Sequence, residues 1–202
     1  MAFFSNWFKP AGIASSVGIY LTQDSLFALD EHRPDQLVQR TLGVDDSPAL
    51  ALLALINAQG WQGRRLHLVL SRHWYQQTQM EKPAMPDEEL PQALPWLMRE
   101  LVSEPVDALL FDYIELPPSP QGLPRIAVYY WARERLAALV KALLPLCDIA
   151  TIGVDELAMV NLLDPEVRGM LLHKVPGQEL TLILSHQHQW QFSRTIRGFQ
   201  AL

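Results

Sequence analysis

The chain holds a single cysteine, Cys147, so no internal disulfide can staple it. A lone cysteine in an apolar context reads as a small buried hydrophobe from a reducing compartment. No apolar run approaches the 18 or so residues that a membrane-spanning helix needs. No block of lysines or arginines stands out, and the net charge is −6, which disfavours nucleic acid as a partner. Two chemical signatures are also missing. There is no G-x-S-x-G elbow for a serine nucleophile and no G-x-x-x-x-G-K-[ST] phosphate loop. The first residues, MAFFSNWFKPAG, have neither the basic start nor the long apolar stretch of a secretory signal. What the chain does have is apolar content: 49% hydrophobic residues over 202 positions, enough for a core without disulfides.

The clearest pattern spans Pro105 to Leu163. Val106–Glu115 and Arg125–Trp131 are expected strands. The Pro/Ser/Gly loop Pro117–Pro124 joins them into a hairpin. Ala132–Leu144 has helical spacing, with Leu136, Leu139, Val140, Leu143 and Leu144 on one face. Asp148–Val154 is a strand, and Asp155 an N-cap for a helix to Leu163. Earlier, Ile13–Leu21, Leu26–Leu29 and Gln36–Leu42 form a three-strand meander. Ser47 and Pro48 start a helix that is apolar nearly all round and so expected to be buried. Gly60 ends it, and Arg65–Leu70 is the next strand. That βββαβ order is the building plan of an RNase H-like, actin-like α/β domain. Trp74–Met80 is a further strand. Asp87–Glu89 open a helix running to Val102, with a late start or a kink at Pro95. Met170–Lys174, Leu180–Ser185 and Trp190–Ile196 begin a second meander with no helix after it, which points to an incomplete second half.

Other groupings carry less chemistry. His186 and His188 sit two apart, too few for a metal site without a third ligand. His67 reads as a hydrogen-bonded histidine of the sheet. Ser71 and His73 lack the elbow that acyl transfer requires, and Asp107, Asp112 and Glu115 read as edge solubility. No catalytic residue and no metal site is expected. Aromatic residues gather between Trp74 and Trp131, where Trp74, Trp96 and Tyr113 are candidate anchors for a partner peptide. Phe3, Phe4, Trp7 and Phe8 form an aromatic arm that either packs on its own domain or meets a partner or membrane surface.

Two stretches carry a family resemblance. The run MPDEELPQALPWLMRELVSEPVDALLFDYIELP has an acidic helix start, an AL-x-W helix, and a strand ending in Asp112-Tyr113. IAVYYWARERLAALVKALLPL followed by IATIGVDELAMVNLL repeats strand, helix, strand and helix. Together they resemble the MSHA pilus biogenesis MshI proteins and, more broadly, the PilM-like actin-like family of type IV pilus assembly. The resemblance implies a first actin-like subdomain over residues 1–73 and 147–165. It also implies an inserted small α+β subdomain over 74–146 and a truncated second domain from 166 to 202.

In that family two phosphate hairpins with an Asp-x-Gly signature bind nucleotide. Glycine lets backbone N–H groups approach phosphate, and the carboxylate places a hydrated Mg²⁺. The first hairpin maps onto Val17 to Gln23, with Tyr20 in the aspartate's place and Thr22 in the glycine's. The second maps onto Leu172 to Gly177, with His173 and Val175 in those places. The resemblance therefore implies a degenerate member with no expected cofactor and no ATP hydrolysis. It would be a cytoplasmic scaffold of an MSHA-type pilus platform, peripheral to the inner membrane through its partners. Those partners are other platform proteins and, chiefly, the tail of a PilN-like bitopic protein, held between the first domain and the insert. A homodimer stays open. The alternatives are an ATPase that binds Mg-ATP despite Tyr20 and His173, and the cytoplasmic domain of a type II secretion L-type protein.

Overall fold

The computed structural model describes residues 15–164, 166, 168–174, 180–186 and 189–196. The aromatic arm, Val175 and His188 lie outside them. A five-stranded sheet forms from β1 (Ser16–Leu21), β2 (Ser25–Asp30), β3 (Arg33–Thr41), β4 (Arg65–Leu70) and β8 (Asp148–Val154), in the order β3-β2-β1-β4-β8. The first three strands are an antiparallel meander, and β4 and β8 run parallel to β1. The meander is longer than the sequence suggested, because β3 begins at Arg33 and includes Pro34. A proline without an N–H is tolerated there since β3 ends the sheet.

Alternation along β1, β2 and β4 sends Val17, Ile19, Leu21, Leu26, Leu66, Leu68 and Leu70 to one face. Helix α1 (Pro48–Gln59) covers that face. Ser47 caps it by accepting from the Leu50 N–H, Pro48 opens its first turn, and Gly60 ends it in the left-handed conformation at φ 68°. A side-chain cap of this kind contributes about 1 kcal/mol. The expectation of a fully buried helix does not hold. Ala51, Leu52, Leu55 and Ile56 are buried, but Leu50 faces solvent. Helix α3 (Arg133–Leu143) packs beside α1 through Leu139 and Leu143.

A second sheet, in the order β5-β7-β6, joins β5 (Tyr75–Glu81), β6 (Leu109–Leu116) and β7 (Arg125–Ala132). The β6–β7 hairpin is antiparallel as expected. Its first strand starts late, because Val106–Ala108 form a 3-10 turn. Helix α2 (Leu90–Met98) buries Leu90, Leu94 and Met98 against Ile126 and Val128. It starts after the acidic run, which therefore does not occupy its first turn, and it stops four residues short of Val102 while keeping Pro95 inside. A third sheet, in the order β11-β10-β9, comprises β9 (Gly169–Lys174), β10 (Leu180–His186) and β11 (Gln189–Ile196). Ile183 and Trp190 join it to the main core. Cys147 is buried, and His67 Nδ1 lies 3.0 Å from the Thr151 hydroxyl.

Candidate functional site

Two places stand out: the junction around Asp155, reached from β1 and β5, and a groove between two sheet edges. Helix α4 (Asp155–Val160) follows β8 directly and is capped by Val154, not by Asp155 as the sequence suggested. Asp155 is the first residue inside the helix, and its carboxylate turns back toward the sheets. The Tyr75 phenol donates to Oδ1 at 2.6 Å, and the Tyr20 phenol to Oδ2 at 3.2 Å. The Glu156 backbone N–H adds a third bond at 2.9 Å. Burial, followed by the negative charge of Asp155, holds both phenols well above the ordinary tyrosine range, so they stay protonated donors. Burial draws His173 downward from the ordinary histidine value, and the negative charge of Asp155 opposes it.

The turn after β1 is also closed on itself. Thr22 donates its backbone N–H to Ser25 O at 2.9 Å, and its hydroxyl accepts the Ser25 N–H at 3.0 Å. The same hydroxyl donates to Asp24 Oδ1 at 3.0 Å. Thr22 O accepts the Trp74 indole N–H at 3.3 Å. Gly18 lies in the middle of β1, paired with Leu29 and His67, and is not part of the turn. The N–H groups of Thr22 and Ser25 go to partners within the turn, and both oxygens of Asp155 are held by tyrosines.

Next to Asp155, Glu156 is buried, accepts from the Ser193 hydroxyl at 2.7 Å and lies 3.4 Å from Arg72 Nη1. Arg72 in turn lies 5.1 Å above the Tyr75 ring. This network ties β11 to the first sheet. Burial pushes the Glu156 carboxyl above its ordinary 4.5, against the pull of Arg72 and Ser193. A carboxyl raised in the folded state contributes stability that is complete below 4.5 and lost as pH rises through the folded value. Glu156→Gln should therefore gain on the wild type as pH rises from about 4 to about 7, read as urea midpoints. A difference, variant minus wild type, that stays flat or falls as pH rises would show that Glu156 is not held in a site that favours its protonated form.

The groove has a volume of about 420 Å³ and is almost wholly apolar. One wall is β8, through Ile149 and Ile152, and the other is β6, through Leu110 and Phe111. Its floor is α3, through Leu136 and Val140. Both walls are end strands of their sheets. Such edges present backbone N–H and C=O groups for pairing with an added strand, although on β6 Leu109 O already accepts from Arg133 and the Tyr113 N–H donates to Asp112. The apolar stripe of α3 thus splits, with Leu139 and Leu143 buried toward the core and Leu136 and Val140 facing the groove.

The candidate anchors fall elsewhere. Trp74 is 5% exposed, bonded to Thr22 and covered by the Arg135 guanidinium 3.7 Å from its ring centre, so its indole is packing and not a free anchor. Trp96 is 75% exposed but lies on α2, beside Arg99 and Glu104. Tyr113 is half-buried against the α2 cluster, just beyond the groove wall. Among the described residues no cluster of three or more His, Cys, Asp or Glu could hold a metal, and no helix is long and apolar enough to cross a membrane.

No protein-family model matches the sequence, and no curated protein matches it. Solved structures do. The cytoplasmic domain of EpsL, an inner-membrane component of the type II secretion system of Vibrio cholerae, aligns over 90% of this chain and 71% of its own. That alignment has TM-score 0.62 and 18% identity. A chain of the PilM–PilN type IV pilus biogenesis complex aligns with TM-score 0.69 and 16% identity, over 90% of this chain and 61% of that one. A Bacteroides thetaiotaomicron protein of unknown function with an actin-like ATPase fold aligns over 93% of this chain, with TM-score 0.56 and 8% identity. This chain spans less than two thirds of the length of the chain it matches in the PilM–PilN complex, and the fold it shares with all three is the actin-like α/β fold.

Proposed function

We propose that the chain is a non-hydrolysing scaffold of a pilus or secretion assembly platform that holds an extended peptide tail between β8 and β6. The observation that supports this reading is the groove itself: apolar, sized for a few side chains, and walled by two strand edges. An added strand there would pair its backbone with one edge and seat alternate side chains on Leu136 and Val140. The partner is the cytoplasmic tail of a PilN-like inner-membrane protein, within an MSHA-type platform. Residues 74–146 act as the inserted subdomain that supplies one wall. The protein works in the cytoplasm, held at the inner membrane by that partner. The bonds of Tyr20 and Tyr75 to Asp155 favour a protein that needs no ATP and no Mg²⁺. Titration calorimetry with the PilN-like tail should give saturable binding, and a flat trace would overturn the reading. A type II secretion L-type cytoplasmic domain is the second reading, favoured by alignment over 71% of the EpsL chain.

A further inference from the structure

One face of the third sheet is packed and the other is open. Strands β9, β10 and β11 form an antiparallel meander, as β1, β2 and β3 do. Each meander turns one face toward α4: Tyr20 of the first reaches Asp155, and Ser193 of the third reaches Glu156. On the opposite face of the first meander, α1 buries Val17, Ile19, Leu21 and Leu26. The opposite face of the third meander has no such cover. Strand alternation and register bring Met170, Leu184 and Phe192 into one row there, and Leu172, Leu182 and Arg194 into the next. Met170 is 59% exposed, Leu172 50% and Phe192 38%. A sheet buries its apolar face against another layer, and large apolar side chains grouped on an open face mark an interaction site.

The charge on this face has one sign. Arg194 stands directly across β10 from Leu172, inside the apolar field, and Lys174 lies one row further along. No Asp or Glu occupies these rows, although the chain carries 22 acids against 16 Lys and Arg. Arg194 is exposed, and among the described residues no carboxylate forms an ion pair with it. A cation amid apolar side chains suits a partner that brings acids beside its own apolar stripe. It suits a lipid surface less, because sinking the apolar residues would draw Arg194 toward hydrocarbon. From Met170 to Lys174 the face runs about 14 Å, the length of about nine residues of α-helix.

We infer that the outer face of the β9–β11 sheet is the docking site of an amphipathic helix from a partner protein, its apolar stripe flanked by glutamate or aspartate. The stripe lies on Met170, Leu172 and Phe192 much as α1 lies on the first sheet, and an acid meets Arg194. This surface shares no lining residue with the peptide groove and stands whether or not a tail binds there.

Fluorescence anisotropy of two labelled peptides tests it on the full chain. Both are about 18 residues long, enough for an isolated helix, and both carry leucines at helical spacing. One has glutamates beside the stripe and the other lysines. The glutamate peptide should bind saturably and the lysine peptide roughly tenfold more weakly. Arg194→Glu should invert that order. Leu172→Glu, at an exposed position with little cost to folding, should abolish binding of the glutamate peptide. No saturable binding of the glutamate peptide would overturn the inference, as would equal binding of both peptides that Arg194→Glu leaves unchanged. Capture by phosphatidylserine vesicles without peptide binding, lost in Leu172→Glu, would make the face a membrane contact and overturn it. Self-association of the wild type in sedimentation, lost in Leu172→Glu, would put a second copy of the chain there and equally overturn it.

Discussion

Asp155→Ala should cost about 3 kcal/mol of folding stability, the range for stranding buried donors. The carboxylate accepts from Tyr75, Tyr20 and its own helix's second residue. Tyr75 is buried, so its phenol has no water to turn to when the acceptor goes. Removing both partners is less damaging than removing one, because no donor is then left unmade. Tyr75→Phe on the Asp155→Ala background should therefore add little further loss, and the double-mutant cycle should give a coupling of about 1 kcal/mol or more. Urea unfolding measures both. A cost for Asp155→Ala below about 0.5 kcal/mol, the usual range for an unimportant surface change, would mean the tyrosine bridge does not hold the junction.

Val140→Glu should weaken the PilN-like tail roughly 100-fold, about 2.8 kcal/mol at 1.4 kcal/mol per tenfold. Val140 sits in the floor of the groove on α3, with Leu136 one turn earlier. In the free protein a glutamate there can extend to water, so folding should be nearly unaffected. With a peptide seated, the same carboxylate is enclosed by Ile152, Leu110 and Phe111 with no cation to pair it. Titration calorimetry reads the loss, and an unchanged melting temperature separates it from unfolding. Trp96→Ala, which lines none of that groove, serves as the control and should leave binding intact. Equal losses from both variants would remove the groove from the account.

Much of the architecture was legible because it is local. Alternation marks β1 and β4, and the Ser47-Pro48 and Gly60 caps mark α1 within a residue. Boundaries slipped where a proline or an acidic run admitted two readings, as at Pro34 and at Asp87–Glu89. The sites were less legible because they are assembled from distant segments. Asp155 is 135 positions from Tyr20 and 80 from Tyr75, and its place at the start of α4 made it look like a cap. The groove joins two strand edges with half of a helical stripe, and periodicity cannot say that the stripe serves two neighbours. An aromatic residue such as Trp74 gives no sign in sequence of whether it is an anchor or, as here, a buried prop for the Thr22 turn.

Under the proposed function, Tyr20 and Tyr75 hold Asp155 beside the first candidate phosphate hairpin while a peptide tail docks between β8 and β6. Hydrogen exchange on the full chain, with the PilN-like tail and separately with Mg-ATP, tests it most directly. The tail should slow exchange in 148–154 and 109–116, and Mg-ATP should leave 20–25 unchanged. Slowed exchange at 20–25 with Mg-ATP, and none at the two strand edges with the tail, would contradict it.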